Sequence, residues 1–153
     1  MPELKSEFLF TIKVGVSTLH DIGKTPFGLR HIDILGAGTF AGPRLEGKVL
    51  PGGMDQKIFR AADGAMNPNV RLVLQTDDGA MILMYYTGIR TGTPEVMQRI
   101  ADGEEVDPSE YYLRNTPYFE TASKTYDWLN RIVAVGVGRR MPDHAAYDVF
   151  EIL

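Results

Sequence analysis

The chain has 153 residues, 44% of them apolar, no cysteine, and a formal net charge of −4 carried by interspersed acidic and basic side chains. That length suits one domain, 1–153, able to bury a real core without staples, while the missing cysteines exclude disulfides, thiolate catalysis and cysteine-built zinc sites. No basic stripe is present for nucleic acid and no run approaches the ~18 apolar residues of a membrane span, so no nucleic-acid or membrane partner is expected and the default setting is cytoplasmic.

The first ten residues, MPELKSEFLF, carry Glu3, Lys5 and Glu7 and lack the apolar run of a signal peptide. From residue 7, EFLFTIKVGV places Phe8, Phe10, Ile12, Val14 and Val16 on one face, which predicts a half-buried strand. Further strands are predicted at 31–35, 46–50, 56–59, 70–76 and 80–86. Asp78-Gly79 reads as a tight hairpin turn between the last two, and Asp63-Gly64 and Pro142-Asp143 as other turns. Thr93 can cap a helix, Pro94 suits its first position, and Val96, Met97 and Ile100 share a face ahead of Gly103, so a helix is predicted over 94–102. Strands follow at 111–116, 132–137 and 147–152, with a helical turn at 126–130.

Many short strands with Gly/Pro punctuation predict an all-β fold: a single antiparallel β-barrel of roughly eight or more strands with one short helix, or else a sandwich. Ala134, Gly136 and Gly138 on one strand face favour the barrel, because small residues let a strand coil tightly or leave interior space for a ligand.

The stretch GAGTFAGPRLEGKVLPGGMDQ, residues 36–56, contains two near-matches to nucleotide fingerprints. Gly36, Gly38 and Ala41 fit G-x-G-x-x-[GA], but Phe40-Ala41-Gly42-Pro43 opens no helix to hold a pyrophosphate. Gly42, Gly47 and Lys48 fit G-x-x-x-x-G-K, but Val49 stands where a P-loop needs a hydroxyl for magnesium. The glycines are better read as bends and bulges between strands. No cofactor is expected.

GTFAGPRLEGKVLPGGMD at 38–55, TDDGAMI at 76–82, DPSEYYLRNTPYFET at 107–121 and YDWLNRIVAVGVGRR at 126–140 together resemble one family. It is the family known as domain of unknown function 3237, or uncharacterised protein family 0311. The resemblance covers nearly the whole chain in order and spacing. It implies a compact antiparallel β-barrel, calycin-like or allene-oxide-cyclase-like, and transfers motif positions rather than a reaction. Gln56 is a departure, since the family often has an aromatic residue after the aspartate of GG-x-D.

Asp55, after Gly52-Gly53-Met54, reads either as a pocket carboxylate or as a turn aspartate bonding its own backbone. In YYLRNT, alternation sets Tyr112, Arg114 and Thr116 on one face and Tyr111, Leu113 and Asn115 on the other. On a barrel interior and between aromatics, Arg114 would clamp a carboxylate or enolate oxygen and Tyr112 would donate to an oxyanion; the alternative is that Arg114 is a structural ion-pair partner of Glu120 or Asp55. Glu120, beside Phe119, would be a general acid or base if desolvated and unpaired. Trp128 and Asn130 are candidate ligand contacts or, respectively, core and turn residues. Arg30 and Arg71 are secondary ligand-binding candidates. Asp77-Asp78 reads as turn chemistry, and His20, His31 and His144 show no metal-ligand spacing, so no metal is expected.

Acids, arginines and aromatics without thiol, metal or phosphate motifs point first to a cofactor-independent enzyme. It would move a proton on a small organic molecule in the barrel mouth, as an isomerase, cyclase or hydratase/lyase. The alternatives are a non-catalytic small-molecule-binding barrel, and an assembly module whose Val133, Val135 and Val137 face forms a homo-oligomer.

Overall fold

The computed structural model describes residues 1–153 and consists of nine strands and one α-helix. The strands are β1 (Ser6–Thr25), β2 (Gly28–Ala41), β3 (Glu46–Arg60), β4 (Met66–Asn67), β5 (Asn69–Thr76), β6 (Met81–Gly92), β7 (Tyr111–Glu120), β8 (Val133–Arg140) and β9 (Ala145–Ile152); α1 spans Pro94–Ala101. Short 3₁₀ turns lie at Pro108–Glu110 and Asp127–Arg131.

Period-two alternation gives these strands one inward and one outward face. In β7, Tyr111, Leu113, Asn115, Pro117 and Phe119 are buried while Tyr112, Thr116, Tyr118 and Glu120 are exposed. Antiparallel neighbours run β1–β2–β3–β5–β6–β7–β8–β9, and β9 returns to β1 from Ser6↔Ile152 to Val14↔Ala145. This is a closed eight-stranded barrel, with β4 bridging β3 and β6, and the sandwich alternative is excluded. Ala134, Gly136 and Gly138 face inward as the small-residue pattern requires, and a side chain at Gly136 would run into the carboxamide of Asn115. Val133 and Val137 are exposed on the outer face. No helix is long and apolar enough to cross a membrane.

The segments expected as separate strands at 46–50 and 56–59 are one strand. Pro51-Gly52-Gly53 does not break it; a bulge absorbs these residues, with Gly52 at φ 104, a conformation that favours glycine. Register shifts in β1 (Val14 to Thr18), β2 (Ile34 to Gly38) and β3 (Leu50 to Met54) adjoin one another across the sheet. Beyond them β1, from Val16 to Thr25, extends past the end of its pairing with β9 and remains paired with β2. The helix is as expected at its start, where Thr93 Oγ1 accepts the Val96 N–H at 3.2 Å, and it ends one residue earlier than expected, at Ala101.

The interior has two storeys. The lower one is apolar: Phe10 meets Phe40 and Phe119 edge-on at centroid distances of 5.5 and 5.9 Å, above Leu129 from the 3₁₀ turn. The upper one, at the level of the bulges, is polar.

Candidate functional site

Above the β3 bulge, alternation turns Asp55 and Lys57 inward. Asp55 is the direct cross-strand partner of Asp33 in β2, so two carboxylates lie side by side on the inner face. Lys57, two residues along, sits diagonally to Asp33, and its Nζ lies 2.8 Å from Asp33 Oδ2. Around the wall, β6 contributes Tyr86 and Arg90, β8 Arg140 and β9 Tyr147. With apolar side chains such as Val14, Leu35, Met66 and Leu113, they line a cavity of about 60 Å³.

The groups are unequally satisfied. Asp33 is 1% exposed, and its Oδ1 has no hydrogen-bond partner. Asp55 Oδ1 accepts the Asn69 N–H at 3.0 Å, and its second oxygen makes no hydrogen bond. Burial pushes the Asp55 carboxyl up to about 6; the Asn69 N–H and the Lys57 charge pull the other way, and the Asp33 charge adds to the rise. Arg90 is 6% exposed, its Nε is unpaired, and burial with Arg140 nearby lowers its pKa from the ordinary guanidinium value. Arg140 Nη1 donates to the carbonyls of Met141 and His144, each at 2.6 Å, and the Arg140 N–H donates to Tyr111 Oη at 2.7 Å. Tyr86 and Tyr147 meet edge-on at 5.5 Å, and burial pushes both phenols above their usual range, so both remain neutral hydrogen-bond donors. No three His, Asp or Glu side chains converge in a way that would hold a metal ion.

Of the residues singled out from sequence, the structure brings only Asp55 into this chamber. Tyr112 and Arg114 lie on the outer face of β7, with the guanidinium 4.5 Å from the Tyr112 ring centroid and Nη1 donating to the Leu113 carbonyl at 2.9 Å. The period of β7 is two, as expected, but its inward face is that of Tyr111, Leu113 and Asn115. Glu120 is exposed at the opposite end of β7 from Tyr111 and pairs with neither Arg114 nor Asp55. Arg30 Nη1 donates to the Gln56 carbonyl at 3.0 Å on the strand extension, and Arg71 stands outside the barrel against Asn69 Oδ1 at 3.1 Å. Trp128 packs against the lower core under the Arg44 guanidinium at 3.6 Å, and Asn130 braces Thr121 through two hydrogen bonds of 2.8 and 3.0 Å. Asp78 is turn chemistry, accepting from Thr76 Oγ1 and, at 3.2 Å, from Tyr126 Oη. Arg114→Ala is therefore expected to cost less than about 1 kcal/mol, the scale of one exposed cation–π contact, by denaturant unfolding.

Sequence reasoning missed Asp33, Lys57, Tyr86, Arg90, Arg140 and Tyr147. Part of the signal was present: Arg90 shares parity with Ile82, Met84 and Tyr86 in β6, and Lys57 shares parity with Asp55. Asp33, between Ile32 and Ile34, is set inward by the barrel.

Fold and chamber together define a small closed β-barrel with a buried polar cluster at one end of its interior. The chain belongs to the family described as protein of unknown function (DUF3237), whose model matches residues 4–152. It is 34% identical over 152 residues to a UPF0311 protein of Rhodopseudomonas palustris (strain TIE-1), covering 99% of each chain. A crystal structure of a conserved protein of unknown function from Rhodopseudomonas palustris superposes with a TM-score of 0.95 at 33% identity, covering 100% of both chains. A more distant relative, the hydroalkoxylation enzyme phnH of Penicillium herquei, is 26% identical over 130 residues, 85% of this chain and 71% of that one.

Proposed function

We propose that the protein is an enzyme that transfers a proton within a small organic molecule held in the polar storey of the barrel, with Asp55 as the acid–base group. The observation that carries this reading is the Asp55 carboxyl itself. It lines a cavity, one of its oxygens has no hydrogen-bond partner, and burial brings its pKa to about 6. A carboxyl tuned to that range is mostly ionised at pH 7 yet basic enough to take a proton from an O–H or an activated C–H and return it elsewhere. The neutral hydroxyls of Tyr86 and Tyr147 would donate to the oxyanion that develops when the proton leaves.

Isomerisation and cyclisation share this step, and hydration differs in that water supplies both the hydroxyl and the proton. The relationship to a hydroalkoxylation enzyme supports the same chemistry, because adding an O–H across a C=C bond removes a proton from oxygen and delivers one to carbon. The test is turnover of small unsaturated hydroxy and keto compounds, followed by mass spectrometry and chiral chromatography. For a converted compound, kcat/KM should rise with pH through about 6, as a base must be ionised, and Asp55→Asn should lower kcat by roughly 10²–10⁴-fold. Full turnover by Asp55→Asn would remove the assignment, and ligand recovered unchanged throughout would favour a binding barrel instead.

A further inference from the structure

Arg90 is a buried cation without a counter-ion. Its side chain makes no salt bridge, although it is 6% exposed and its Nε is unpaired. Neither chamber carboxylate forms an ion pair with it: Asp33 lies 2.8 Å from Lys57 Nζ, and Asp55, whose Oδ1 accepts the Asn69 N–H, acts on Arg90 only as a weaker, non-contacting charge. The neighbouring charge, Arg140, is of the same sign and is oriented by two backbone carbonyls. Lys57, Arg90 and Arg140 thus stand against Asp33 and Asp55, leaving the chamber with an excess of positive charge even when both acids are ionised. Buried charges are ordinarily paired, because a lone one loses its hydration without compensation.

The missing partner has a definable shape. A cavity of about 60 Å³ is too small for a ring, since an apolar cavity of roughly 150 Å³ is the size that takes benzene. It accommodates a planar head of a few atoms, and the apolar side chains of Val14, Leu35 and Met66 on the same lining suit an organic anion. A guanidinium fork matches a planar carboxylate through two parallel hydrogen bonds, and the Tyr86 and Tyr147 hydroxyls, which make no hydrogen bonds within the protein, are further donors on the same cavity.

We propose that the chamber takes an organic carboxylate whose carboxylate group seats against the Arg90 guanidinium. The proposal rests on reading this chamber as the functional site, and it makes Arg90 the residue that selects acids over their neutral counterparts.

The test is thermal unfolding and titration calorimetry of the full chain with acetate, butanoate and benzoate, with the matching amides, and with inorganic phosphate, all at equal ionic strength. At least one carboxylate should stabilise the protein saturably while its amide does not. Arg90→Met should abolish that effect, and Arg90→Lys, which keeps the charge but loses the fork, should weaken binding at least tenfold. Circular dichroism checks that each variant is folded, and if Arg90→Met is not, the Arg90→Lys affinity decides. Silence from every carboxylate, equal effects from acid and amide, an effect from phosphate alone, or an undiminished effect in the arginine variants would each overturn the proposal. Asp55→Asn separates this site from the acid–base reading. Carboxylate binding with full Asp55→Asn turnover keeps the anion site and discards the base, whereas no carboxylate binding with turnover lost in Asp55→Asn does the reverse.

Discussion

Lys57→Met is expected to destabilise the protein by about 3–5 kcal/mol, the penalty for stripping one partner from a buried ion pair. Asp33 is 1% exposed, lies 2.8 Å from Lys57 Nζ, and has its other oxygen already unpaired. Without the ammonium, a carboxylate would remain in the barrel wall facing Asp55 across the strands. For a chain of this size the midpoint of thermal unfolding should fall by about 10 °C or more. The double variant Asp33→Asn/Lys57→Met should recover most of that loss, because it removes the charge that lacked compensation rather than a contact that added stability. Denaturant unfolding within 1 kcal/mol of wild type for the single variant would mean that solvent, not Lys57, satisfies Asp33.

Asp55→Asn should act in the opposite direction. The folded-state pKa of Asp55 is raised from 3.8 to about 6, so between those values the unfolded chain has released a proton that the native state retains. The native state then binds more protons, and its stability falls as pH rises across this window; above it the full penalty applies, roughly 2–3 kcal/mol. An asparagine keeps an oxygen for the Asn69 N–H and carries no charge. The variant should match wild type near pH 4 and exceed it by roughly that amount at pH 7, measured as unfolding free energy across the range. A difference that stays flat with pH would remove the linkage. Combined with the turnover loss expected of the same substitution, a gain in stability would mark Asp55 as a residue kept for chemistry at the expense of the fold.

Strand periods were legible in the sequence wherever one face was clearly apolar, as in Phe10, Ile12 and Val14 of β1, and the helix was legible from its cap. What period two does not convey is phase. In β7 both faces carry an aromatic and a polar side chain, so Tyr112/Arg114 and Tyr111/Asn115 are equally plausible interiors until closure of the barrel decides. The same ambiguity hid Lys57 and Arg90, whose charges mark them as surface residues to any rule based on polarity. Asp55 stood out because Gly52-Gly53 beside it mark a bend in the chain, while its inward direction follows from sharing parity with the buried Val49. Its partner Asp33 has no such local mark, since their pairing depends on the β2–β3 register.

The strand extension presents a backbone edge whose readiness to take up another strand is set by its irregularities. From Val16 to Thr25, β1 hydrogen-bonds with β2 on one side only, because its pairing with β9 stops at Val14. An unpaired strand edge with Leu19 and Ile22 exposed is a template on which another chain could add a strand. Three irregularities blunt it: register shifts between Val14 and Val16, Val16 and Thr18, and Asp21 and Gly23 prevent a straight partner from matching the row of backbone groups. At the last of them the Gly23 N–H donates to the Asp21 carboxylate at 2.8 Å, so the local side chain occupies a donor that an incoming strand would need. The bulges beside the chamber thus have a second effect above it, interrupting the row of backbone groups along the free edge of the β1 extension.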